Sequence, residues 1–173
     1  MSSSSWPVIV HQCLNTSAIV EALGKKQMKI RFSESIIPNT VIFPLSGVAF
    51  MILPVTPDLV HSNYDVDDQL VKNVDKFIHV HGNCYILLKA SLHGNNEQEL
   101  LSSLQHRYLS TSLQILPVHN ISDIVQAMLS IAKLLCKPTC YLMSDRFKTL
   151  LSEELFTSSV DNFCKQLNLD QHH

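Results

Sequence analysis

From Ile36 to Pro57 the chain carries no charged side chain, yet Pro38, Pro44, Pro54, Pro57 and Gly47 interrupt the run. A segment this apolar has to be buried, and one this broken can be neither a single helix nor a membrane span. Inside it, TVIFPL and VAFMIL are rich in β-branched and aromatic residues and meet at Ser46-Gly47. That pattern predicts two arms of a tight hairpin, with glycine supplying the positive φ of the turn.

What surrounds the hairpin is decided by composition. With 173 residues, 46% of them hydrophobic and 16% charged, the chain can bury one ordinary core and carry a small appendage. The formal charge is −2, with 13 Lys and Arg against 15 Asp and Glu, so the whole chain has no electrostatic footprint for nucleic acid. MSSSSWPVIVHQC lacks the basic start and apolar run of a signal peptide. The five cysteines at irregular spacing then read as reduced thiols of a soluble intracellular protein with no membrane association.

Periodicity predicts the order of elements. PVIVHQC, residues 7 to 13, reads as a central strand, followed by a helix capped by Asn15 or Thr16 and running to about Lys26. MKIRFS alternates apolar and basic residues as a half-exposed strand does. From Asp65 to His81, Val66, Leu70, Val74, Phe77 and Ile78 recur at helical spacing. NCYILLKAS is a buried strand, the next helix sets Leu100, Leu101, Leu104 and Tyr108 on one face, and LQILPV is the last strand. A helix capped by Asn120 or Ser122 runs to about Lys137 and is apolar over more of its circumference than one core contact requires. Beyond Pro138 only polar helical patterns remain. The expectation is an α/β fold, a mixed sheet flanked by helices on both faces, over residues 1–137, with a helical tail over 138–173.

The reactive side chains form no familiar constellation. His79 and His81 near Cys84, and His93 and His119 in loops, lack the paired short spacings of a zinc site. Cys136 and Cys140 are spaced CxxxC, one residue longer than the redox motif. Cys13, Cys84 and Cys164 read as core filler. Among four glycines there is neither a phosphate-binding loop nor a GxSxG elbow, so no cofactor is expected. One competing reading is a small intracellular enzyme using the His93 and His119 loops, although no nucleophile accompanies them. Another is a pure protein adaptor.

FPLSGVAFMILP (43 to 54), FIHVHGNCYILLKASLHG (77 to 94) and QHRYLSTSLQILPVHN (105 to 120), with IVQAMLSIAKLL, resemble in order and spacing the Spo-sixteen family of meiotic crossover proteins. The match runs from about residue 28 to 137. Members of that family are similar to the non-catalytic subunit of XPF-type endonucleases, a restriction-nuclease-like domain followed by a helix-hairpin-helix module. The resemblance implies a nuclear protein of meiotic chromosome axes, in the ZMM group that promotes crossovers and synapsis. It implies a heterodimer with the larger XPF-like shortage-in-chiasmata protein on branched DNA.

It also implies what the charge-free stretch replaces. Active XPF-type nucleases carry GDx(n)ERKx(3)D on adjacent strands, because carboxylates there must converge on divalent metal ions. In the register of the resemblance the ERK triplet falls on Phe50, Met51 and Ile52, and the leading Asp near Thr40 or Val41. No acid lies between Ile36 and Pro57, so the domain is expected to be a pseudo-nuclease. The tail has no glycine and is expected to be a degenerate helix-hairpin-helix. The apolar arc of the last long helix makes Val125, Met128, Leu129 and Leu135 the expected partner interface. Lys133, Lys137, Arg146 and Lys148 are the expected DNA contacts.

Overall fold

The computed structural model describes residues 6–56, 60–61, 65–90 and 95–136. Strand β1 (Pro7–His11) leads through a short 3-10 turn into α1 (Ala18–Lys25), then β2 (Lys29–Ser33), β3 (Thr40–Phe43) and β4 (Val48–Pro54) follow. A two-residue pair, β5 (Val60–His61) and β6 (Asp65–Val66), precedes α2 (Asp68–Val80) and β7 (Asn83–Lys89). The unit closes with α3 (Asn95–Arg107), β8 (Gln114–Val118) and α4 (Ile121–Leu135). The main sheet has six strands in the order β2-β1-β3-β4-β7-β8. Only β3 is antiparallel to its neighbours. The described compact unit lies within Met1–Cys136. The expected tail, with Cys140 and Cys164, lies outside the described residues.

The hairpin reading holds in detail. β3 and β4 pair antiparallel from Phe43↔Val48 to Thr40↔Met51, and Gly47 at the turn has φ +64°, which L side chains adopt only at a cost. β4 is buried at six successive positions, as a strand sandwiched between two layers must be. Its side chains alternate. Val48, Phe50 and Ile52 join Val8, Val10, Val41, Leu87 and Val118 beneath α1 and α4. Ala49, Met51 and Leu53 join Ile86 and Leu88 beneath α2 and α3. Two cores on opposite faces of one sheet make three layers. The hydroxyl of Tyr108, just past α3, ties the second core to α2 by donating to Asp75 Oδ1 at 2.9 Å.

Local chemistry moves some boundaries. α1 begins at the cap Ser17, whose Oγ accepts from the Val20 amide, and not at Asn15 or Thr16. The preceding turn uses those residues, with His11 Nδ1 accepting from the Cys13 amide at 3.0 Å. α2 starts three residues later than the periodicity suggests. Asp65 and Val66 pair with His61 and Val60, and Asp67 caps the helix by accepting from the Leu70 amide at 2.9 Å. Cys13 is exposed and not core filler, because the surface turn holds its sulfur against Asn39, from whose amide it accepts at 3.4 Å. Among the described residues no helix is long and apolar enough to cross a membrane.

Candidate functional site

The centre of the sheet is where a nuclease of this topology would gather its carboxylates, so β3 and β4 come first. Register pairs Thr40 with Met51 and Val41 with Phe50. Val41, Phe50 and Ile52 lie together on the α1/α4 face, with Met51 on the other. Exposure is 0% at Val41 and Phe50, 3% at Met51 and 5% at Ile52. The Phe50 ring meets Phe43 edge-on at 5.7 Å and Tyr85 at 5.4 Å, filling the volume with aromatic packing. The polar member is Thr40, whose buried hydroxyl donates to the Pro38 carbonyl at 3.4 Å. Divalent cations of the nuclease kind demand oxygen ligands, and Phe50, Met51 and Ile52 offer none. These residues do not fit a metal.

Nor do the described histidines assemble elsewhere. His119 follows β8 with Nδ1 3.2 Å from the Ala90 carbonyl, while His93 lies outside the described residues. His81 ends α2 with its ring 5.2 Å from Phe77, and burial pushes its pKa down. The Cys84 thiol donates to the His81 carbonyl at 2.9 Å and is pushed up to about 11 by burial. Among the described residues no three His, Cys, Asp or Glu side chains come close enough to share a metal ion.

The expected interface residues divide between inside and outside. Val125, Met128 and Leu129 pack into the core under α4, whereas Leu135 is 37% and its neighbour Leu134 83% exposed. The arc is wide because α4 has two neighbours within its own chain, the sheet and α1. Of the expected DNA contacts, Lys133 is exposed on the last turn of α4, and Lys137, Arg146 and Lys148 lie outside the described residues. Lys133 lines a groove of about 560 Å³ between α1 and α4, whose wall also carries Lys25 and Lys26. Sequence reasoning missed those two. The signal was KKQMKIR, four cations in residues 25 to 31 with no acid between Glu21 and Glu34.

Solved structures share this architecture. XPF from Aeropyrum pernix, solved in complex with DNA, superposes with a TM-score of 0.59 at 12% identity, covering 75% of this chain and 64% of that one. A second structure of XPF from Aeropyrum pernix gives 0.57 at 10% identity, covering 77% and 63%. The match thus spans slightly under two thirds of those chains. The fold is that of an XPF nuclease domain, with apolar side chains at the centre of its sheet. More closely, the family described as Protein SPO16 homolog matches residues 4–166. The human Protein SPO16 homolog is 33% identical over 168 residues, covering 89% of this chain and 91% of that one. The chain belongs to the Protein SPO16 homolog family.

Proposed function

We propose that this chain is the non-catalytic subunit of a meiotic XPF-like heterodimer that binds branched recombination intermediates and promotes crossover formation and synapsis. The observation that carries the reading is the apolar cross-strand set Val41, Phe50 and Ile52 on a nuclease-like sheet. Packing there replaces the oxygen ligands that two-metal cleavage requires. The family resemblance supplies the rest of the reading: a nuclear protein of meiotic chromosome axes, paired with the XPF-like shortage-in-chiasmata protein. In this reading residues 1–137 are the pseudo-nuclease body and 138–173 a degenerate helix-hairpin-helix tail. The partner meets the exposed end of α4, through Leu134 and Leu135.

Co-expression with the XPF-like partner, followed by size exclusion, tests the pairing. The two chains should elute together and bind a four-way junction more tightly than a linear duplex of the same length. Neither the chain nor the complex should cleave branched or single-stranded DNA in magnesium or manganese. Separate elution, or cleavage abolished by changing a carboxylate of this chain, would overturn the reading.

A further inference from the structure

The groove between α1 and α4 brings together cations far apart in sequence. Lys25 and Lys26 come from the end of α1 and Lys133 from the last turn of α4, and all three line its wall. Lys29 and Arg31 continue the run along β2 at the rim of the sheet, both exposed. Glu21 is the acid in the groove; it pairs with Lys25 at 2.7 Å, yet the Lys25 side chain remains 73% exposed. The register turns Ile30 toward the α1/α4 core and so Lys29 and Arg31 toward the other face of the sheet, which leaves three cations in the groove of a chain with more acids than bases. Two occupants have matching chemistry: the phosphate backbone of DNA, or an acidic amphipathic peptide. The floor decides between them. Val125 and Leu129 are only 4% and 8% exposed, already buried against the chain's own core. A peptide would find little apolar area left to cover, and buried apolar area is what anchors such helices in grooves. Phosphates need only the cations.

We infer that Lys25, Lys26 and Lys133 form a phosphate-contacting corner of the nuclease-like domain, which holds duplex DNA by its backbone without reading base sequence. This rests on the proposed DNA-binding role and gives it an address on α1 and α4, apart from the tail. Each phosphate neutralised releases counterions, so log affinity falls with log salt by about 0.9 per contact. The test uses the full chain, alone and co-purified with the XPF-like partner, and a fluorescein-labelled 30-base-pair duplex and four-way junction. Binding is followed by anisotropy from 50 to 200 mM salt, ~30 base pairs being long enough to span the domain and this salt range being where such slopes are read. The variant K25Q/K26Q/K133Q should bind more weakly and flatten the slope by two to three units, roughly one per cation removed. The matching triple Arg variant should keep the wild-type slope, and the Gln variant's thermal unfolding should be unchanged. Wild-type binding with an unchanged slope in the Gln variant overturns the corner alone. Loss of co-purification with the partner at an unchanged slope makes the groove a protein dock and overturns it too. No DNA binding by the wild-type chain or complex removes the DNA-binding role itself.

Discussion

Phe50 illustrates how a single side chain closes a chemical option. Its ring lies between Phe43 and Tyr85 with no exposed surface, and an ionised carboxylate there would be desolvated without a cation beside it. Restoring an acid at 50 would therefore damage the core before it recruited a metal. Cys84, on the other face of the same sheet, offers a measurable consequence of burial. Its pKa rises from an ordinary 9.0 to about 11 because the folded chain disfavours the thiolate. The unfolded chain loses this proton first as pH rises. The contribution to stability is thus complete below pH 9 and disappears between pH 9 and about 11. Urea midpoints should fall more between pH 8.5 and 10.5 for the wild type than for Cys84→Ala. The test range brackets ~one unit around where thiol linkage acts. Tyr108, raised from 10.0 to about 12, loses its contribution at higher pH, so Tyr108→Phe separates the two. Equal slopes in wild type and Cys84→Ala would show the thiol unlinked to folding.

At the scale of elements, the hairpin was legible because Gly47 and two apolar arms leave few alternatives, and the β-α order followed from periodicity. What was hidden depended on neighbours distant in sequence. The start of α2 is fixed by a strand pair with residues 60–61, and the inward turn of Met128 by the presence of α1 beside α4. The lysines of α1 become a feature only when folding sets Lys133 next to them. That Phe50, Met51 and Ile52 are apolar and buried was legible because absence of charge over a whole stretch survives any error in register. The two faces of α4 now make opposite predictions. Met128→Asp buries an unpaired charge in the core and should cost roughly 4 kcal/mol or more in urea unfolding. Leu134→Asp, on an 83% exposed side chain, should change stability by no more than about 0.5 kcal/mol. Because that variant stays folded, its co-purification with the partner reports on the interface alone. Comparable destabilisation by both would mean that α4 is turned differently about its axis.

For the whole molecule, the sheet has two outermost strands, and each is poorly suited to recruiting a seventh. β2 alternates Lys29 and Arg31 with its apolar residues, and β8 carries Pro117, which has no amide to donate. Charge and proline at a rim both discourage strand addition by another copy. A net charge of only −2 offers little colloidal repulsion to do the same job. Arg31→Val with Pro117→Val should therefore raise light scattering on incubation at high concentration, while unfolding in urea stays cooperative; scattering equal to wild type would clear the rims of this role. The margins of the sheet thus carry their own guard: edge strands that resist pairing with a second copy leave the molecule free to stay dispersed at a net charge that would not itself keep copies apart.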